Sequence, residues 1–130
     1  MNEMEFYQVQ KADLLELHEI SRQTFFDTFG EVNTHEDMNH YLEVNLSMEQ
    51  LTLELSNPST SFYFAKNGNE ILAYLKLNEK KAQTENRDIP SLEIERIYVR
   101  KEYQNRGVGQ FLLDYSIQIT KDKQLKLIWL

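Results

Sequence analysis

Apolar and polar positions first alternate, then settle into helical spacing, and the changeovers mark the elements. Phe6–Gln10 alternates as a first strand does, and Leu14, Leu17, Ile20 and Phe25 follow at helical spacings as far as Gly30. Thr34 with Asp37, and Ser47 with Gln50, have the form of capping boxes, in which a hydroxyl accepts from an early backbone N–H. They open two short predicted helices, Thr34–Val44 and Ser47–Leu55. After Asn57-Pro58-Ser59 the aromatic-rich run Ser61–Lys66, the turn Asn67-Gly68-Asn69 and the run Glu70–Asn78 predict a hairpin. The polar stretch Glu79–Pro90 reads as a loop.

In Leu92–Val99 the apolar phase slips. Leu92 and Ile94 occupy even positions, Ile97 and Val99 odd ones. Side chains in a regular strand alternate faces, so a shared face for all four requires an extra residue near Glu95-Arg96, a β-bulge. A strand buried on both faces would explain the same run without one. Val108, Phe111, Leu112, Tyr115 and Ile119 then mark an amphipathic helix through Lys121, and Leu125–Leu130 a closing strand. The order β-α-α-α-β-β-β-α-β, without repeats, predicts one α/β domain over residues 1–130 with a mixed sheet.

Composition narrows the chemistry. The chain has no cysteine, so disulfides, thiolate metal sites and thiol nucleophiles are excluded. No apolar run reaches the roughly 20 residues of a bilayer span, and the start has no signal-peptide pattern, so a cytoplasmic protein that does not meet the membrane is expected. The net charge of -7 speaks against nucleic acid as a partner. Ten acidic residues and one basic residue lie between Asp13 and Leu55, which favours a small cationic partner. Arg96, Arg100, Lys101 and Arg106 gather later, where an anion could sit. His18, His35 and His40 lack metal-ligand spacing, so no metal is implied.

Gln104-Asn105-Arg106-Gly107-Val108-Gly109 stands between a strand and a helix. Glycines there let main chain approach a ligand closely, and the unpaired N–H groups of a first helical turn favour an anion such as a pyrophosphate. The spacing fits neither a Walker loop nor a three-glycine dinucleotide fingerprint.

With Ile97-Tyr98-Val99 ahead of it, this loop resembles the acetyl-CoA motif Q/R-x-x-G-x-G/A of the GNAT superfamily of N-acetyltransferases. The resemblance extends through Leu55-Ser56-Asn57-Pro58, Leu92-Glu93-Ile94-Glu95-Arg96 and Ile128-Trp129-Leu130, which together resemble bacterial PaiA-type polyamine N-acetyltransferases. It implies the acyl-CoA N-acyltransferase fold, a mixed and mostly antiparallel sheet flanked by helices, and acetyl-CoA as cosubstrate. The main chain of Ile97, Tyr98 and Val99 would hold the pantetheine and acetyl group. The loop of Gln104, Asn105, Arg106, Gly107, Val108 and Gly109 would hold the pyrophosphate. A primary amine would be the acceptor, a polyamine such as spermidine or spermine by the PaiA-type resemblance. A protein N-terminus, a lysine, an aminoglycoside or a non-catalytic acyl-CoA-binding module are the alternatives.

Amine acetylation needs an uncharged nitrogen, whereas alkylamines titrate near pKa 10. Glu95 and Glu93 match positions that serve as the base in different branches of the superfamily. Glu95 is preferred because it adjoins the inferred bulge, and burial would have to raise its pKa. Pairing with Arg96 is the structural alternative for either. Donors near Val99 would polarise the thioester carbonyl. Tyr7, Tyr41 and Tyr63 are candidates to line the acceptor pocket. The superfamily continues beyond the strand at Leu125–Leu130 with a helix, commonly bearing a Tyr that protonates the leaving thiolate, and a hairpin. The expectation is therefore a fold incomplete at its C-terminus, with slow turnover and a sheet edge that a homodimer could cover.

Overall fold

Polar side chains fix where the two short helices begin. Thr34 accepts from the N–H of Asp37 at 3.1 Å and Ser47 from that of Gln50 at 3.1 Å, each satisfying one orphan donor of a first turn. The computed structural model describes residues 3–130. Its elements run β1 (Glu5–Gln8), α1 (Leu14–Phe29), α2 (His35–Val44), α3 (Met48–Ser56), β2 (Thr60–Asn67), β3 (Glu70–Glu79), β4 (Ser91–Val99), α4 (Val108–Asp122) and β5 (Leu127–Trp129). That is the order expected from the pattern, with boundaries displaced by a residue or two.

The strands form one sheet in the order β1-β2-β3-β4-β5. The first four are antiparallel neighbours, and β5 lies parallel to β4. Between β3 and β4 the register passes from Lys76 opposite Arg96 to Leu77 opposite Ile94, so Glu95 has no partner and is the bulged residue. The bulge restores the phase. Leu92 and Ile94 before it, and Ile97 and Val99 after it, all pack into one core with Leu75, Leu77, Val108 and Leu112 beneath α4. On the other face Phe62, Phe64 and Tyr74 pack against Leu17 and Ile20 of α1 and Leu51 of α3. Tyr98 joins that second cluster, since it points opposite to its neighbours.

β5 pairs with Ser91–Glu93, so among the described residues the second half of β4 runs on without a neighbour on that side. The Glu79–Pro90 connection is tied down more than its polarity suggests. Thr84 bonds to Glu93 through both its N–H and its hydroxyl, Arg87 stacks 4.0 Å from the Trp129 ring, and the Trp129 indole donates to Gln83 at 2.8 Å. Among the described residues no helix is long and apolar enough to cross a membrane.

Candidate functional site

The glycine loop takes its shape from one backbone requirement. Gly107, the residue ahead of α4, sits at φ 81°, in the left-handed region that glycine occupies without penalty. Asn105 is also left-handed, at φ 65°, a conformation asparagine tolerates better than most residues. The first backbone bond of α4 runs from the N–H of Phe111 to the carbonyl of Gly107 at 3.0 Å. Among the described residues no side chain caps this helix, so the N–H groups of Gly107 through Gln110 are open and carry the positive end of its dipole. Arg106 is exposed beside them. The cradle fits an anion with several oxygens and suits a pyrophosphate.

The strand leading into this loop is anchored at its end. The N–H of Arg100 donates to Leu72 O at 2.9 Å, its Nε donates to Ile71 O at 2.7 Å, and its guanidinium pairs with Glu19 of α1. Because antiparallel residues alternate in bonding direction, Tyr98 turns its main chain toward Tyr74 of β3, while Ile97 and Val99 turn theirs toward the gap beside β5. Gln104 Nε2 donates to Val99 O at 3.3 Å. Among the described residues, the N–H of Val99 and both main-chain groups of Ile97 are left without a strand partner. A flexible amide-bearing chain could lie in that gap as a surrogate strand.

On the opposite face of β4 is a small cavity of about 100 Å³. Phe25 and Tyr41 wall it from α1 and α2, Tyr74 and Tyr98 from the sheet, and Glu95 and Arg96 reach into it from the bulge. A liquid water claims about 30 Å³, so the space holds the head of a ligand and not a whole one. Larger cavities of about 450 Å³ lie beneath the 79–91 connection and beside β1, but neither adjoins the bulge or the glycine loop.

Four charges meet at the floor of the small cavity. Lys76 Nζ lies 2.8 Å from Glu54 Oε1 and 2.8 Å from Glu95 Oε1, and only 7% of its side chain is exposed. Asn78 Nδ2 donates to Glu95 Oε1 at 2.8 Å and to Glu93 Oε1 at 3.1 Å. Arg96 stands 3.6 Å from Glu54 and 3.7 Å from Glu95, close enough to pair electrostatically but too far to hydrogen-bond. Two acids and two bases leave the floor formally neutral. Glu54 Oε1 is near Lys76 but out of line for a hydrogen bond, so that contact is an ion pair alone. All the close bonds of Glu95 go to Oε1, which leaves Oε2 open to the cavity side.

Burial alone would push the Glu95 carboxyl upward. The hydrogen bonds from Lys76 and Asn78, and the charges of Lys76 and Arg96, outweigh it and hold the group below the usual carboxylate range. The upward shift that the sequence reading required for a base is therefore not what the bulge produces. Burial also raises the phenols of Tyr74 and Tyr98 above their ordinary value. A depressed carboxyl stabilises the fold fully above its unfolded value of 4.5, and this contribution disappears as pH falls through the lower folded value. The urea midpoint of the native chain should thus fall toward that of Glu95→Gln as pH drops below 4.5, and the gap should be constant at neutral pH.

The residues singled out from the sequence separate in space. Glu95 reaches the cavity, whereas Glu93 is buried and bonded to Asn78 and Thr84, and takes no part in the cavity wall. Tyr41 lines the cavity, but Tyr7 donates to Asp13 at 2.8 Å and Tyr63 packs on Phe6, 4.5 Å between ring centroids. Of the ten acidic residues between Asp13 and Leu55, eight are exposed, Asp13 bonds to Tyr7, and only Glu54 reaches the charged floor. His18 lies on α1 and His35 and His40 on α2. Lys76, Glu54, Asn78 and Phe25 were not anticipated. One signal was available for Lys76, a charge inside the apolar run Ile71–Leu77 that has to find partners if the strand is central.

The model of the acetyltransferase (GNAT) family matches residues 14–130. An uncharacterized N-acetyltransferase in the pepI 3′ region of Lactobacillus delbrueckii subsp. lactis is 41% identical over 130 residues, all of this chain and 75% of that protein. The crystal structure of PaiA N-acetyltransferase from Thermoplasma acidophilum with coenzyme A has a TM-score of 0.79 at 22% identity, over 95% of this chain and 75% of that one. An aminoglycoside acetyltransferase, meta-AAC0020 from an uncultured soil metagenomic sample, in complex with sisomicin, has a TM-score of 0.73 at 19% identity, over 98% and 76%. At such identities the two solved structures speak for the fold alone.

Proposed function

The chain belongs to the acetyltransferase (GNAT) family, enzymes that draw the acetyl group from acetyl-CoA, and we propose that it passes this group directly to a small primary amine whose head enters the cavity at the bulge. The observation that carries this reading is the placement of Glu95. One bulged residue adjoins both the cavity and the unpartnered stretch of β4, so acceptor and donor would meet across a single strand.

In this reading the amides of Gly107 through Gln110, with Arg106, hold the pyrophosphate, and the free main-chain groups of Ile97 and Val99 hold the pantetheine. Tyr98 contributes its ring to the acceptor side. The amine nitrogen attacks the thioester carbon, the new C–N bond forms as the C–S bond breaks, and the thiolate departs. Glu95 Oε2 takes the proton that the nitrogen gives up, directly or through water. Its low pKa means that it holds this proton only briefly and passes it on to water, while its negative charge favours departure of the proton from the nitrogen. Glu93, by contrast, keeps the bulge and the 79–90 connection in place.

Of the acceptors, an aminoglycoside is favoured by the likeness in fold to an aminoglycoside acetyltransferase. A polyamine and an aminoglycoside are both polycations, so the neutral floor does not separate them, and the acidic residues of α1 to α3 mostly face solvent. The polyamine reading keeps one support, the exposed acidic surface itself, which could steer a cation toward the mouth. Thiol release from acetyl-CoA, followed with sisomicin, spermidine and an N-terminal peptide in parallel, separates the readings. Release should depend on added amine and be fastest with the aminoglycoside. Binding of acetyl-CoA without release for any amine would make this a non-catalytic acyl-CoA module.

A further inference from the structure

Lys76 is the one charge in the apolar run Ile71–Leu77 of β3, and 7% of its side chain is exposed. Leu75 and Leu77 on either side of it face the core beneath α4, so Lys76 points to the opposite face, with its Nζ 5.8 Å from the Phe62 ring. Stability does not account for a lysine there. Replacing a buried ion pair by well-packed apolar groups of similar volume is often neutral or stabilising, because both charges give up water. The local contacts are more specific. Nζ stands 2.8 Å from Glu95 Oε1, the same oxygen that accepts from Asn78 at 2.8 Å. Two residues of one strand therefore hold one carboxylate oxygen. Oε2 is left with Arg96 at 3.7 Å, and Glu95 lines the cavity.

We propose that Lys76 is a positioning residue for acetyl transfer: by holding Glu95 Oε1 it fixes the carboxylate at the bulge and presents Oε2 to the reacting amine. This rests on the reading of Glu95 as the group that faces the amine. Lys76 does not line the cavity, so it acts through Glu95 and touches no substrate. The bulge makes such a tether necessary. Glu95 has no partner opposite it in the ladder, so strand pairing does not set its side chain, and Lys76, paired with Arg96, is the neighbour that reaches it. Glu54 of α3 also lies 2.8 Å from Nζ, so the lysine is held between two carboxylates. The polar and charged groups around Glu95 are thus Lys76 and Asn78 of β3, Arg96 of β4 and Glu54 of α3, with the phenols of Tyr41, Tyr74 and Tyr98 around the cavity.

Lys76→Met alone leaves two buried acids against one base, so the test combines it with Glu54→Gln, which leaves Glu95 and Arg96 in balance. A thermal melt establishes that this double variant is folded. Its kcat for thiol release at neutral pH should fall roughly 10-fold to 100-fold, the cost of misplacing a reacting group by about 1 Å, while coenzyme A affinity by calorimetry stays within about twofold. A role confined to charge balance predicts a native kcat, since the second substitution restores the balance. The carboxyl carbon resonance of Glu95 reads the tether without turnover. Its titration midpoint should lie higher in the double variant, where burial meets fewer opposing contacts. In the native chain, which needs no substitution, the Lys76 ammonium resonance should move through the Glu95 step. A Lys76 resonance indifferent to that step, an unmoved Glu95 midpoint, or a kcat in the folded double variant within about twofold of native while Glu95→Gln is impaired, would overturn the proposal and leave the reading of Glu95 standing. A raised midpoint in a protein whose native chain turns over no amine would uphold the tether and count against the transferase reading.

Discussion

Glu95→Gln is expected to lower kcat for amine acetylation by about 100-fold or more, the usual loss when a positioned proton acceptor is removed. The amide keeps the size of the side chain and an oxygen for Lys76 and Asn78, so the bulge should persist. What disappears is the charge on Oε2, the group that faces the acceptor. Acetyl-CoA should bind as before, because the contacts proposed for it lie on the other side of β4 and in the glycine loop. The variant should therefore separate the steps, with coenzyme affinity retained and transfer lost. A kcat within about twofold of the native value would remove Glu95 from the mechanism, since a loss that small is far below any general-base contribution. Glu93→Gln provides the contrast. Its oxygens are bonded to Asn78 and Thr84, so it should lower thermal stability while leaving the ratio of kcat to that of folded protein nearly intact.

Gly107→Val should weaken coenzyme A binding by about 10-fold or more, with a loss of stability of about 1–3 kcal/mol from a β-branched residue in a left-handed conformation. A side chain at Gly107 would meet nothing within 4 Å, so the cost is conformational and not a collision. The loop can escape it only by rotating φ out of the left-handed region, which turns the following N–H groups away from their common focus. Gly109→Ala is the control. A Cβ there meets only the Val99 side chain at 3.8 Å, an ordinary contact, and its φ is not positive. That variant should keep both stability and coenzyme affinity, and calorimetry on the pair distinguishes loop conformation from a general intolerance of larger residues.

The bulge and the glycine-bearing start of α4 could be read from the sequence because their determinants are local. A helix start with glycines is a short-range pattern, and a bulge leaves a one-residue slip in strand alternation that Leu92, Ile94, Ile97 and Val99 record. The cavity at the bulge was less legible for the opposite reason. Its walls come from α1, α2, β3 and β4, and its charged floor joins Glu54, Lys76, Glu95 and Arg96, which nothing in the linear order brings together. Charge said little about the cavity itself, since of the acidic residues summed over α1 to α3 only Glu54 reaches its floor. The direction of the Glu95 shift failed similarly. Burial was foreseeable from the strand pattern, but the Lys76 and Asn78 bonds that outweigh it depend on a register the bulge itself resets.

The account depends on the open amides at the start of α4 receiving a diphosphate. Titrating isotopically labelled protein with coenzyme A should move the backbone amide resonances of Arg106, Gly107, Val108 and Gly109 strongly, and those of Ile97 and Val99 with them. Resonances of Arg106 to Gly109 that stay in place in a folded sample at saturating coenzyme A would contradict it.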